Sequence, residues 1–208
     1  MNYFSNKDNA AIIVELCHQI EANRKYLSDV DGLIGDGDHG VNMSKGFSTA
    51  RGQITDADNF SAACKKLGDV LLLEIGGSMG PIYGTFFRSI TKATKAHENI
   101  DVQIMTTALE TALNGIMEIG GAKLGDKTLV DTIYPAVEAF KSESDFGAAI
   151  DKAVAAAEAG MNSTKDMVAK VGRAARLGER SAGVLDAGSV SSFIILKSLL
   201  KGIKQQLR

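Results

Sequence analysis

Residues 105–121 have the sequence MTTALETALNGIMEIGG. Its apolar residues recur every three or four positions, which is the spacing of one face of an α-helix and differs from the alternation of a strand. Gly120-Gly121 then marks the end of that helix. The same spacing recurs along the chain, and only two of the 208 residues are proline. The sequence therefore predicts an all-α protein, and no stretch predicts a strand.

Seven further helices are predicted from the same periodicity, which makes eight in all. Asp8 is the expected N-cap of the first, and Pro81 suits the first turn of the fourth. Long helices joined by modest loops favour antiparallel neighbours, in a bundle or a closed ring, and residues 1–208 are expected to form a single domain. The apolar stripes are Ile12, Leu16 and Ile20; Met43, Phe47 and Ala50; Ala63, Leu67, Val70 and Leu71; Ile82, Phe86 and Ile90; Val130, Ile133, Tyr134 and Val137; a long Ala-rich helix over 146–171; and a last helix with Val190, Phe193 and Ile194.

Composition excludes several classes of protein. Lys and Arg total 23 against 25 Asp and Glu, so the net charge of -2 gives no bulk field for nucleic acid or an anionic membrane. The first ten residues hold no basic region ahead of an apolar stretch, and no apolar run approaches the roughly 20 residues that span a bilayer. We expect a soluble cytoplasmic protein. Cys17 and Cys64 fall within helical apolar patterns and are expected to be buried thiols.

The segment DGLIGDGDHG at residues 31–40 is the strongest candidate for chemistry. Asp31, Asp36 and Asp38 lie on a glycine-rich loop, and three carboxylates so close together can converge on a hard cation such as magnesium or calcium. The alternative is a solvated turn in which the aspartates cap backbone amides. The spacing alone does not separate the two interpretations.

Three familiar motifs do not match the glycine-rich loops at 31–40 and 120–128. Residues 35–40 satisfy G-x-G-x-x-G, but no strand precedes them and their carboxylates would repel a bare pyrophosphate. An EF-hand counted from Asp29 would have Leu33 at its fifth position and Gly40 at its last, where ligands are required. Residues 120–128 approach a P-loop, but Asp126 is inserted ahead of the lysine and again no strand precedes.

A bound magnesium ion would reconcile the aspartates with a phosphate ligand, because magnesium takes a few carboxylates together with phosphate oxygens. If His39–Asn42 forms the first turn of the next helix, free amides face the same anion and Asn42 adds a donor. Local capping is the alternative for these residues. The glycine-rich loop 76–80 with Ser78 could approach a phosphate in the same way, and Arg173 could pair with a phosphate or a carboxylate.

Together these segments resemble the L subunit, or nucleotide-binding domain, of dihydroxyacetone kinases. The resemblance runs through nearly the whole chain. It rests on IGDGDHGVNM at 34–43, GGSMGPIYGTFF at 76–87, GDKT at 125–128 and GRAARLGERS at 172–181.

The resemblance implies an eight-helix antiparallel barrel with the nucleotide site at one end. It implies ADP or ATP as ligand, with the phosphates attached through two Mg²⁺ ions to Asp31, Asp36 and Asp38. It places His39, Gly40, Val41 and Asn42 on the phosphate side, Ser78 and Met79 in a loop that covers the nucleotide, and Gly120, Leu129, Arg173, Asp186, Ala187 and Gly188 around the rest of the pocket.

The resemblance also implies partners. A separate K subunit would hold dihydroxyacetone, and in the phosphotransferase-linked bacterial form a phosphohistidine M subunit would rephosphorylate ADP that stays bound. No nucleic acid or membrane partner is expected, and a homodimer is compatible with the resemblance. No nucleophile from this chain is expected to act in catalysis.

Three departures from the family pattern leave alternatives open. Met79 stands where the family has the loop serine, Ala187 replaces a proline, and GRAAR at 172–176 replaces GRASY. The alternatives are an ATP-dependent kinase subunit for a related ketose or triose, and a nucleotide-bound regulatory module that contacts a transcription factor. A purely structural helical bundle would require all the acidic and glycine-rich loops to be coincidental turns.

Overall fold

The computed structural model describes residues 2–208, and helices dominate it. Two short strands and two short 3₁₀ segments, Thr164–Asp166 and Ala174–Ser181, complete the secondary structure of these residues. The strands are β1 (Tyr3–Ser5) and β2 (Asn99–Asp101). The helices are α1 (Ala11–Ala22), α2 (Arg24–Asp31), α3 (His39–Arg51), α4 (Phe60–Glu74), α5 (Met79–Thr94), α6 (Val102–Gly120), α7 (Val130–Lys141), α8 (Phe146–Ser163) and α9 (Ala187–Gln205).

Eight of these helices close a ring. α1 packs on α3, each helix from α3 to α8 packs on the next, and α9 returns to α1. α2 lies beside this ring, against α3 and α9. The predicted all-α, eight-helix antiparallel barrel is therefore confirmed, and α2 is an additional short helix in a stretch where none was predicted.

The barrel interior is filled by the apolar faces that the periodicity identified. In α6, Met105, Leu109 and Leu113 are 5% exposed or less. Aromatic rings meet edge to face where β1 contacts the helices, with the Phe4 and Phe60 centroids 5.1 Å apart. Such pairs add about 0.5–1.5 kcal/mol beyond the burial of their area. Cys17 and Cys64 are free and buried, as expected.

Three details of the sequence prediction are wrong. Asp8 does not cap α1, because it lies in a left-handed turn with φ 61° and the helix starts two residues after Asn9. α8 ends at Ser163 and does not continue to residue 171. The chain also contains two strands, which pair antiparallel with Phe4 opposite Ile100. No helix within residues 2–208 has the length and apolar character needed to cross a membrane.

Candidate nucleotide and metal site

A cavity of about 720 Å³ opens at one end of the barrel. The N-terminal ends of α3, α5, α7 and α9 and the C-terminal ends of α2 and α6 line it, as the alternation of an antiparallel ring requires. The first amides of a helix lack intrahelical acceptors, and the helix dipole makes that end positive. Four such ends around one cavity favour an anionic ligand.

The three predicted metal ligands meet at the edge of this cavity. Asp31 is the last residue of α2, Asp38 immediately precedes α3, and Asp36 lies in the connecting loop. One carboxylate oxygen from each lies within 4.8 Å of the other two. Gly37, with φ 76°, allows the sharp turn that brings the loop back. An all-oxygen set of this size fits Mg²⁺, which combines a few carboxylates with water and phosphate oxygens.

Two contacts fix the acidic cluster in the protein. The backbone amide of His39 donates to Asp31 Oδ2 over 3.3 Å, which ties the end of α2 to the start of α3. The Arg173 guanidinium forms an ion pair with Asp36, and both residues line the cavity. Arg173 was predicted on the nucleotide side, and it lies beside both the cavity and the cluster.

The first turn of α3 is divided between two environments. His39 and Asn42 line the cavity. Gly40 and Val41 do not, although the resemblance assigned both to the phosphate side. Gly40 is buried where α3 crosses α2, and an added Cβ would clash with the Arg24 carbonyl. The Val41 side chain is 43% exposed to solvent. The assignment of Gly40 and Val41 to the phosphate side therefore stays a prediction.

A glycine-rich loop covers another side of the cavity. It connects α4 to α5 through Gly76, Gly77 and Ser78, with Gly77 at φ 70°. Ser78 precedes α5 without capping it, so its hydroxyl remains available. Met79 begins α5, lines the cavity and packs on the core. The loop serine that the family pattern places at this position is therefore replaced by an apolar wall.

A buried polar chain runs beneath the cavity. His39 Nε2 lies 2.9 Å from Ser191 Oγ, which lies 2.6 Å from the Tyr83 hydroxyl. These residues belong to α3, α9 and α5. Burial lowers the pKa of His39 to about 4, with Asp31 opposing the shift. Burial also raises the pKa of Tyr83 to about 12, so both side chains are neutral near pH 7.

Lys127 anchors the opposite wall. It is 2% exposed, and its ammonium donates to the carbonyls of Thr164 and Val184 over 2.6 Å each. Burial lowers the pKa of Lys127, while the nearby Asp186 carboxylate raises it. Asp186 caps α9 by accepting from the Ser189 amide over 2.7 Å, and its burial raises its own pKa to about 7.

Amides of the loop 120–129 are bonded to two nearby carboxylates, one in the loop and one in the first turn of α7. Asp126 accepts from the amide of Lys123 over 2.9 Å, and Asp131 accepts from the amides of Gly125 and Thr128 over 2.6 and 2.8 Å. A P-loop would leave such amides free for a phosphate. The rejection of a P-loop therefore agrees with the structure.

Most of the predicted site residues are brought together. Sequence reasoning did not assign Tyr83, Lys127 or Ser191 a place in the site. Lys127 and Tyr83 fall within motifs that carried the resemblance, whereas nothing in the local sequence distinguishes Ser191 from other serines of α9. The predicted residues that line the cavity are Asp31, Asp36, Asp38, His39, Asn42, Ser78, Met79, Gly120, Leu129, Arg173, Asp186, Ala187 and Gly188.

A ring of helices with several N-terminal ends and an acidic cluster around one cavity defines an all-α domain suited to an anionic ligand and a hard cation. Residues 33–201 match the DAK2 domain family. The chain therefore belongs to that family.

Individual relatives agree with this assignment. The chain is 37% identical over 185 residues to the ADP-binding subunit DhaL of PEP-dependent dihydroxyacetone kinase 1 from Listeria innocua, covering 88% of this chain and 89% of that protein. It is 35% identical over 188 residues to the ADP-binding subunit DhaL of the PEP-dependent dihydroxyacetone kinase of Escherichia coli K12, covering 87% and 89%. The resemblance to the L subunits of dihydroxyacetone kinases is confirmed.

A solved structure is similar in fold. The dihydroxyacetone kinase from C. freundii in complex with AMP-PNP and Mg²⁺ superposes with a TM-score of 0.68 at 23% identity, over 93% of this chain and 33% of that chain. At that identity the similarity concerns the fold alone.

Proposed function

We propose that this chain is the nucleotide-binding subunit of a dihydroxyacetone kinase, acting as a single domain that binds ADP and ATP with magnesium. The observation that carries the proposal is the meeting of Asp31, Asp36 and Asp38 at a cavity surrounded by four helix N-terminal ends. Carboxylates without a cation would repel a phosphate, and a phosphate bound by helix N-terminal ends alone would not require carboxylates nearby. A magnesium nucleotide requires both.

The aspartates would hold two Mg²⁺ ions. The bound ions would neutralise the charge of the phosphates during transfer. Around them, the side chains of Asn42 and Ser78 supply hydrogen-bond donors to phosphate oxygens, and the N-terminal end of α3 adds the positive end of its dipole. Arg173 would contribute a guanidinium from the far side of the mouth.

Apolar side chains supply the rest of the cavity. Ile34, Met79, Ile82, Ile119 and Leu129 are among the residues that line it. A volume of about 720 Å³ lies within the usual range of small-molecule sites, about 300–1,000 Å³. A lining that combines apolar side chains with the acidic cluster suits a nucleotide, whose base would contact apolar side chains and whose phosphates would lie at the metal.

The rim of the cavity favours docking of a second protein. Within residues 2–208, most of the exposed large hydrophobic side chains lie near this end of the barrel, including Leu33, Leu73, Ile119 and Leu124. Leu73, in the last turn of α4, is 82% exposed, and Leu33 is 63% exposed. Exposed apolar side chains around a polar site are typical of protein interfaces. We assign this rim to a K subunit that holds dihydroxyacetone and receives the phosphoryl group.

The names of two relatives support a phosphoryl donor other than ATP. The proteins from L. innocua and E. coli are named as subunits of PEP-dependent kinases. By analogy, ADP would stay bound to this chain and be rephosphorylated by a phosphohistidine M subunit.

Reconstitution tests this proposal. The chain would be incubated with a K subunit, dihydroxyacetone and magnesium, together with either a phosphorylated M subunit or ATP, and the phosphorylated triose would be measured. We expect product with the M subunit, and ADP that co-purifies with the chain. If product formed only with ATP, the chain would be an ATP-dependent kinase subunit. If the chain bound nucleotide but no product formed with either donor, it would be a regulatory module.

A further inference from the structure

His39 is connected to two helices by side-chain hydrogen bonds that the proposed magnesium-nucleotide site does not itself require. Its Nε2 contacts Ser191 Oγ at 2.9 Å, and Ser191 Oγ contacts the Tyr83 hydroxyl at 2.6 Å. His39, Ser191 and Tyr83 are 7%, 0% and 4% exposed. A buried chain of this kind holds each member in a single orientation, because an unpaired buried polar group is unfavourable.

The other ring nitrogen of His39 is free. Within residues 2–208, Nδ1 has no hydrogen-bond partner, and the ring lines the cavity. The backbone amide of His39 contacts Asp31, and the residue follows Asp38 directly, so the imidazole lies beside the acidic cluster. A phosphate held at that cluster through magnesium would be the nearest anion.

We propose that Ser191 and Tyr83 are positioning residues that set the hydrogen-bonding direction of His39 toward the phosphates of the bound nucleotide. The Tyr83 O–H donates to Ser191 Oγ, the Ser191 O–H donates to His39 Nε2, and the His39 Nδ1–H donates to a phosphate oxygen. A phosphate oxygen can only accept, so the opposite direction of the chain would leave no donor for it. This inference rests on the proposed nucleotide site.

Two backbone carbonyls also lie near the hydroxyl of Ser191. The carbonyls of Ala187 and Gly188 each lie 3.1 Å from Ser191 Oγ, and that of Gly188 lies 3.4 Å from the Tyr83 hydroxyl. A serine has one hydrogen, so these carbonyls compete with His39 for it. The contact with the Tyr83 hydroxyl, at 2.6 Å, is the shortest, and in it the Tyr83 O–H donates to Ser191 Oγ.

The test compares ADP with adenosine, which lacks phosphates, in the presence of magnesium. The variants are Ser191→Ala, Tyr83→Phe, His39→Ala and the double variant of His39→Ala with Ser191→Ala. Ser198→Ala is the matched control, because Ser198 is on the same helix and its buried hydroxyl has no partner within residues 2–208. Affinities would be measured by calorimetry for ADP and by NMR titration for adenosine.

We expect Ser191→Ala and Tyr83→Phe each to weaken ADP binding by about threefold to tenfold, the range of one hydrogen bond. Adenosine affinity should be unchanged, and Ser191→Ala should have no further effect once His39 is alanine. Ser198→Ala should behave as wild type. In ¹⁵N spectra of the ADP complex, the His39 ring should carry its proton on Nδ1 in wild type, a signature that a purely structural role would not determine.

Any of three results would overturn the inference. The variants could weaken the binding of ADP and adenosine equally, Ser191→Ala could have its full effect when His39 is already alanine, or the His39 ring could carry its proton on Nε2. If Ser191→Ala does not fold, Tyr83→Phe decides alone, because it removes one oxygen and keeps the ring. Wild-type protein that fails to bind ADP would instead overturn the proposed function, and this inference with it.

Discussion

Arg173 pairs with Asp36, so that a guanidinium of the protein lies against one of the three carboxylates proposed to hold magnesium. Asp36 is half exposed in this arrangement, and Arg173 extends from the loop after α8. The same side chain therefore has two partners available to it, the carboxylate and an incoming phosphate.

Removing this guanidinium should change metal and nucleotide affinity in opposite directions. In Arg173→Ala, affinity for Mg²⁺ alone should rise by up to about fivefold, because an exposed ion pair is worth at most about 1 kcal/mol. Affinity for ADP in magnesium should fall about tenfold or more, the effect of losing a hydrogen bond to a charged group. Calorimetry measures both. The control is Arg176→Ala, because Arg176 is three residues away and has no ion pair within residues 2–208; it should change neither affinity. If Arg173→Ala lowered the affinity for both Mg²⁺ and ADP, Asp36 and the phosphate would not compete for Arg173.

Gly40→Ala should separate α3 from α2. The added methyl group would clash with the Arg24 carbonyl and approach the Ser28 amide to 2.7 Å. Overpacking of this kind typically destabilises a protein by about 1–3 kcal/mol. ADP affinity should fall as well, since Asp31 and Asp38 lie on either side of this contact. Gly52→Ala, at the other end of α3, would meet backbone only at 3.5 Å and should be tolerated in urea unfolding. Equal effects of the two variants would refute the steric argument.

Lys127→Met should destabilise the fold more than its position in a loop suggests. It removes a buried ammonium and leaves the carbonyls of Thr164 and Val184 without their donor. Hydrogen bonds to charged groups contribute about 1.5–3 kcal/mol each, so we expect a loss on the order of 3 kcal/mol in the free energy of unfolding. The control is Lys123→Met in the same loop, where the side chain is exposed. A difference of less than about 0.5 kcal/mol between the two, the range of ordinary surface substitutions, would exclude an anchoring role.

The pKa of Asp186 gives a pH dependence of stability. Burial raises this pKa from 3.8 to about 7 in the folded protein. Between these two values the folded protein retains a proton that the unfolded chain has lost, so the contribution of Asp186 to the free energy of unfolding falls as pH rises. Asp186→Asn removes this ionisation and keeps a side chain that can cap α9.

The expected result is a difference between Asp186→Asn and wild type that moves in favour of the variant from about pH 4 to about pH 7. Urea unfolding of the ligand-free proteins at several pH values measures it. Asp145→Asn is the matched control, because Asp145 caps α8 in the same way from an exposed position. A constant difference between Asp186→Asn and wild type across this range would show that Asp186 ionises normally.

The sequence predicted the helices well where periodicity and breakers agreed. α6 ends at Gly120, with Gly121 at φ 63°, and α7 starts at Val130, as expected. α8 was predicted too long because its Ala-rich pattern continues beyond Ser163. After Ser163 the chain forms the 3₁₀ turn Thr164–Asp166 and becomes extended at Met167, and the Thr164 carbonyl accepts from Lys127, 37 residues earlier in the chain. No local pattern reports such a contact.

The strands were missed for the same reason. Tyr3 pairs with Asp101. Each three-residue strand therefore depends on a partner strand that is about half the chain away in sequence. Within the candidate site, residue types and spacing marked the acidic loop and the helix start after it as candidates, and the resemblance gave them their roles. Ser191 was not marked, because its importance depends on His39 and Tyr83 converging from two other helices.

The most direct test of the magnesium-linked nucleotide site is the affinity for ADP, measured by calorimetry with and without Mg²⁺, for wild type, Asp36→Ala and Asp29→Ala. Asp29 is a matched control because it is also an aspartate near the end of α2, but it pairs with Lys25 and does not line the cavity. We predict that wild type and Asp29→Ala bind ADP tightly only with Mg²⁺, and that Asp36→Ala loses tight binding. Wild-type ADP affinity in Asp36→Ala with Mg²⁺ present would contradict the assignment of Asp31, Asp36 and Asp38 as the metal site.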